Sequence, residues 1–187
     1  MSIVLLSRRA SVCILGAFLL GANITPALAT DAADVVRSGA NRMLQVLKAG
    51  ASDAEREATI GAIMREAFDL QAIGRRVLGR HWNAATPEQQ RLFLAAFSKA
   101  EVKAYSARFK QYGGQTLNVG KVTTSGASQM VESQIVQHNG SQPIRLTWEV
   151  QNDKVVDVAI EGISLATTRR ADFNAYIQRS GIDGLIG

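Results

Sequence analysis

Apolar residues recur along this chain in two different periods, and the change between them falls at Gly113-Gly114. Before that pair the apolar positions are three or four residues apart, as on one face of a helix; after it they alternate, as on a strand with one buried face. Asp31 to Lys48 carries Val35, Val36, Met43, Leu44 and Leu47 and is closed by Gly50. Ser52 with Glu55 three residues later forms a capping box, in which each side chain satisfies the other's free backbone donor. It opens a second helix through Ile60, Ile63 and Met64. Asp69 caps a short third helix through Ile73, Val77 and Leu78, ended by Gly79, with His81 and Trp82 in the connection that follows. Thr86-Pro87-Glu88-Gln89 combines an N-cap, a proline at the first helical position and a second capping box. From it a long helix runs through Leu92, Phe93, Ala96, Phe97, Ala100, Tyr105 and Phe109 toward Tyr112.

The alternating half predicts four consecutive antiparallel strands. Gln115 to Val122 places Leu117 and Val119 on one face, and Ser128 to His138 follows less regularly. Asn139-Gly140 reads as a hairpin turn, because both residues tolerate positive φ. Ile144, Leu146, Trp148 and Val150 then alternate with polar neighbours, and Gln151 to Asp153 turns the chain into a strand through Val156, Val158 and Ile160. After Gly162 the period becomes helical again through Phe173, Tyr176 and Ile177 to a stop at Gly181, followed by a short apolar turn at Leu185-Ile186. One apolar sheet face and several one-sided helices define an α+β protein.

The first 29 residues change the picture, because they read as a cleaved signal peptide and not as part of the fold. Arg8 and Arg9 precede a short apolar run from Ala10 to Leu20, and Ala27-Leu28-Ala29 has the small-x-small form of a cleavage site. The run is shorter than the roughly 20 residues that span a bilayer. Residues 30–187 are then the mature chain, of a size for one domain. The only cysteine of the full sequence, Cys13, is lost with the leader, so no disulfide or thiolate metal site remains in the mature chain. Export without disulfides points to a bacterial periplasm. The formal net charge of +5 comes from scattered basic residues. Nucleic-acid binding calls for a dense stripe instead.

Candidate chemistry is sparse. The sequence has no phosphate-binding glycine loop, zinc-protease motif or nucleophile elbow, and only two histidines, His81 and His138. Asp157 and Glu161 share one side of the last strand, opposite Val156, Val158 and Ile160, which makes them surface acids. A cavity enzyme of isomerase type would need an acid aimed inward. The inward positions read as apolar. An exported helix-plus-sheet domain rich in large apolar side chains, with no catalytic set, metal or cofactor, suits an apolar-ligand carrier. A lipid-responsive adaptor is the other non-enzymatic reading.

Several segments together resemble one known family. FDLQAIGRRVLG (Phe68 to Gly79), HWNAATPEQQRLFLAAF (His81 to Phe97), Tyr105, Tyr112-Gly113, DVAIEGISLATTRRADF (Asp157 to Phe173) and GIDGLI (Gly181 to Ile186) resemble the MlaC, or toluene-tolerance, proteins. The resemblance implies a curved four-stranded antiparallel sheet packed against several helices, with a deep apolar pocket for phospholipid tails. It also implies a monomer that meets an inner-membrane ABC transporter of Mla type and an outer-membrane lipoprotein-porin complex, and so maintains outer-membrane lipid asymmetry. The run Asp153-Lys154-Val155-Val156 lacks a tryptophan that relatives commonly carry there, which keeps a hopanoid-associated, HpnM-like branch as the alternative. On this reading Leu78, Trp82, Phe93, Phe97, Tyr105, Val119, Leu146, Trp148, Val158, Ile160, Ile163 and Phe173 line the pocket. Arg169 and Arg170 are the candidates for a headgroup or partner contact.

Overall fold

The computed structural model describes residues 31–187, so the proposed leader and cleavage site lie outside the described residues. Among the described residues, six helices and five strands follow one another as α1 (Ala32–Lys48), α2 (Asp53–Ala67), α3 (Leu70–Leu78), α4 (Arg80–Ala84), α5 (Pro87–Phe109), β1 (Thr116–Ser125), β2 (Ser128–Val136), β3 (Ile144–Gln151), β4 (Lys154–Ile160), β5 (Ile163–Ser164) and α6 (Leu165–Ile186). The strands form one antiparallel sheet in sequence order. The helix starts follow their local chemistry. Asp31 caps α1, and both capping boxes form with their reciprocal hydrogen bonds, Ser52 with Glu55 on α2 and Thr86 with Gln89 on α5.

Three features depart from the simple periodic reading. His81 and Trp82 belong to a helical turn of their own, α4, entered through Gly79 at φ 53°. The sheet has a fifth, two-residue strand, reached through a turn in which Glu161 and Gly162 both take positive φ. Strands β2 and β3 are joined by a seven-residue loop from Gln137 to Pro143 and not by a tight hairpin at Asn139-Gly140. Two-residue hairpins join β1 to β2, at Gly126-Ala127, and β3 to β4, where Asn152 and Asp153 sit at φ 48° and 58°. The last helix breaks at Gly181, as its sequence suggests: that residue takes a non-helical φ of 68° and ψ of 173°, and the separate final turn of α6 folds back onto the helical layer.

Burial is divided among three clusters. Ala32, Ala33 and Val36 of α1 pack on Val131, Val150 and Val155 of the sheet, with Val119, Trp148 and Val158 around them. Val77, Leu78, Trp82, Phe93, Phe97 and Ala166 form a second core among α3, α4, α5 and α6, joined by Phe173 and by Ile182, Leu185 and Ile186 from the end of α6. Met43, Ile60 and Met64 form the third, between α1, α2 and α5, with Tyr105 beside them. Close approach of α3 to α5 depends on Gly74, where a β-carbon would stand 2.5 Å from Leu94 and 3.1 Å from Trp82.

One outer edge of the sheet positions everything that follows. Strand β4 pairs with β5 only at Ala159 and Ile160. At its other end Phe68 forms a parallel bridge to Val155, and the Asp69 amide donates to the Val155 carbonyl at 3.0 Å. Between these two covers the edge of β4 has no strand partner, and an unpaired edge needs some other covering. The start of α6 supplies it.

Candidate functional site

At that edge the three cores meet around a cavity of about 190 Å³. Met64 comes from α2, Phe68 from the link to α3, Leu70, Ile73 and Val77 from α3, Phe97 and Tyr105 from α5, Val158 from β4, and Leu165 and Ala166 from α6. The walls are therefore mainly apolar. The polar side is formed by Glu101, Arg108, Asp157, Thr168 and Arg169.

Asp157 is half-buried in this wall and is not a free surface acid. A bulge opposite Glu149 and Val150 breaks the alternation of β4, so Val155 and Val156 are both buried and the side on which each later residue lies no longer follows from counting by two. The Asp157 carboxylate accepts from the Val158 amide at 2.8 Å, the Ser164 hydroxyl at 2.5 Å and the Ala166 amide at 3.2 Å. It thus joins the unpaired edge of β4 to the first turn of α6. A carboxylate committed to three donors is poorly placed to act as a base. Glu161, by contrast, is exposed and paired with Arg145.

The other acid of the wall, Glu101, is only 13% exposed and binds Arg169 at 2.8 Å. Arg108 lies two helical turns further along α5, with its guanidinium 5.6 Å from the centre of the Tyr105 ring. Burial, and after it the Glu101 charge, pushes the Tyr105 phenol above its ordinary pKa; the two arginines act in the opposite direction. The phenol therefore stays protonated at neutral pH and presents an O–H donor.

Of the residues singled out by sequence, Phe97, Tyr105, Val158 and Arg169 line the cavity. Leu78, Trp82, Phe93 and Phe173 lie behind it, in the second core. There Phe173 meets Phe93 and Phe97 edge-on, with ring centres 5.7 and 6.2 Å apart. Val119 and Trp148 lie under α1, Trp148 donating to the Ser133 hydroxyl at 2.8 Å. Leu146 is buried and Ile160 half-buried on paired positions of β3 and β4, whereas Ile163 is 65% exposed at the β4–β5 turn. Arg170 points toward α3, donating to the Arg76 carbonyl at 2.8 Å. Sequence reasoning missed Glu101, Arg108 and Thr168, which look like ordinary helix-surface residues until α5 and α6 are brought together. Among the described residues, no group of His, Cys, Asp and Glu is arranged to hold a metal ion, and no helix is long and apolar enough to cross a membrane.

The fold and site define an α+β cavity protein, with apolar walls shared among three cores and an ionic mouth. A family model described as MlaC protein matches residues 37–187, and the chain belongs to that family. It is 25% identical over 126 residues to the intermembrane phospholipid transport system binding protein MlaC of Haemophilus influenzae, a match covering 63% of this chain and 59% of that protein. The chain thus spans about three fifths of that relative's length. Its fold is similar to that of a phospholipid-binding protein from Ralstonia solanacearum solved in complex with a phospholipid. The TM-score is 0.70 at 24% identity, over 83% of this chain and 93% of the other.

Proposed function

We propose that this protein is a periplasmic phospholipid carrier, exported by a leader spanning residues 1–29 and working as the single domain 30–187. The observation that carries the reading is the apolar cavity at the junction of three cores, open on a side where charged groups gather. Each methylene withdrawn from water is worth roughly 0.8 kcal/mol, so a two-tailed lipid does not leave a bilayer unaided at a useful rate. A carrier lowers that barrier by giving the tails an apolar wall while the headgroup stays near water. The names of the relatives and family membership support phospholipid as cargo.

The cavity is smaller than the roughly 300–1,000 Å³ of ordinary ligand pockets. Two acyl tails therefore require the walls to part. A junction between separately packed clusters is where this costs least, because each cluster keeps most of its own contacts while the seam opens. In this reading the protein exchanges lipid with an Mla-type inner-membrane ABC transporter and an outer-membrane lipoprotein-porin complex, and so serves outer-membrane lipid asymmetry.

The test is organic extraction and mass spectrometry of the mature protein purified from the periplasm of a Gram-negative host. Stoichiometric phospholipid is the expected result. A hopanoid would reassign the cargo, and no lipid in any preparation would refute the carrier. Transfer of labelled phospholipid from the loaded protein to acceptor vesicles separates a carrier from an adaptor that binds lipid without releasing it.

A further inference from the structure

The ionic mouth of the cavity is unevenly paired. Glu101 is neutralised by Arg169 at 2.8 Å, and Asp157 is engaged by two amides and the Ser164 hydroxyl. Arg108 makes no ion pair among the described residues, although eight others form there. It lies over the Tyr105 ring, a contact that orients the guanidinium without consuming its donors. Arg108 therefore presents a planar fork of N–H groups uncommitted to any carboxylate among the described residues, beside a protonated phenol and the Thr168 hydroxyl on the facing wall. Such a fork matches the two free oxygens of a phosphodiester, which it binds by paired charge-assisted hydrogen bonds.

We propose that Arg108 is the residue by which this cavity selects lipids, reading the phosphodiester of a headgroup whose tails occupy the apolar wall below, so that phospholipid is retained in preference to a neutral lipid with identical tails. This rests on the carrier reading above and adds a specificity that apolar walls alone do not supply. Tails make the same contacts whatever headgroup they carry, whereas Arg108 distinguishes a charged phosphate from an uncharged hydroxyl. Because the arginine is exposed, water screens the contact, and the discrimination it contributes is about tenfold.

The experiment loads the delipidated mature protein from mixed micelles holding equal amounts of dioleoyl phosphatidylglycerol and dioleoylglycerol, then measures the ratio of the two in the extracted complex. The wild-type protein is expected to enrich the phospholipid about tenfold, Arg108→Gln to lose most of that enrichment, and Arg108→Lys to keep part of it. Arg91→Gln, at an exposed site paired with Glu88 and away from the cavity, is expected to behave as wild type. An unchanged ratio in Arg108→Gln, with lipid still bound, overturns this assignment and leaves the carrier intact. Failure of the wild-type protein to take up either lipid overturns both. Displacement of bound phospholipid by millimolar glycerol 3-phosphate would mark a site for free phosphate and also overturns the assignment to a lipid headgroup.

Discussion

Replacing Glu149 with glutamine tests whether charge holds the α3 wall of the cavity against the sheet. Glu149 on β3 accepts from Arg76 on α3 through both guanidinium nitrogens, at 2.5 and 2.7 Å, and also from the Ser128 hydroxyl at 2.8 Å and Gln151 Nε2 at 3.1 Å. The Arg76 hydrogen bonds, and to a lesser extent those of Ser128 and Gln151, hold its carboxyl down from an ordinary 4.5 to about 2 against the opposing effect of burial. In a site sealed from water that difference would be worth roughly 3 kcal/mol. The Glu149 side chain is 19% exposed and that of Arg76 30%, so solvent screening reduces the expected contribution to about 1–2 kcal/mol.

The sign follows from a pKa lowered in the folded state. The stabilisation is fully present above the unfolded chain's value near 4.5 and disappears as pH falls through about 2. Urea unfolding of the wild-type protein and Glu149→Gln should therefore differ by about 1–2 kcal/mol at pH 7, with the gap shrinking by half or more at pH 3. Equal stabilities at pH 7, or a gap of the same size at both pH values, would refute this account of the pair.

Three further outcomes follow from the same geometry. Val158→Phe extends a ring from the sheet wall into the 190 Å³ cavity and should lower the phospholipid recovered per protein several-fold, while the unfolding midpoint shifts by no more than about 1–3 kcal/mol of overpacking. Asp157→Ala leaves the Ala166 and Val158 amides without their side-chain acceptor and should cost about 1–2 kcal/mol, with faster amide exchange confined to Val158 and the first turn of α6. Gly181→Ala meets no atom within 4 Å, so its cost is purely that of the backbone at φ 68° and ψ 173°, about 1–3 kcal/mol in thermal or chemical unfolding. A neutral Gly181→Ala would show that the kink is dispensable.

Local chemistry was legible wherever one residue decides its neighbour's conformation. Ser52, Asp69 and Thr86 each cap the helix that the sequence assigns to them, and the switch of period after Gly113-Gly114 marks the passage from helices to sheet. The reading failed where pairing between distant segments intervenes. Counting by two along β4 set Asp157 on the solvent side, and the bulge opposite Glu149 and Val150 removed the basis for that count. Asn139-Gly140 carries a turn signal, yet its strands end at Val136 and resume at Ile144, because hairpin register is set by how the flanking strands pair and not by the turn dipeptide alone. Arg76 and Glu149 are 73 residues apart, and nothing local to either announces the other. The same holds for Arg108 and Glu101, whose partners or facing groups arrive on α6. The aromatic run of α5 was visible as apolar surface, but only the docking of α3 and α6 decides that Phe97 borders the cavity while Phe93 lies behind it.

The way α6 closes the gap on β4 has a consequence for the order in which the molecule is built. Walls of the cavity come from Met64 near the beginning of the described chain and from Leu165 to Arg169 near its end, with all five strands between them. Contacts so far apart in sequence are slow to form, since a long loop must close before they contribute. Each flanking helix pair and hairpin can condense early, but the compartment itself exists only once the C-terminal segment has docked on Asp157. In the proposed carrier, lipid uptake is thus a late event in the life of the chain, and a polypeptide truncated before α6 would expose Val158, Phe97 and Tyr105 as an unsealed apolar seam prone to self-association.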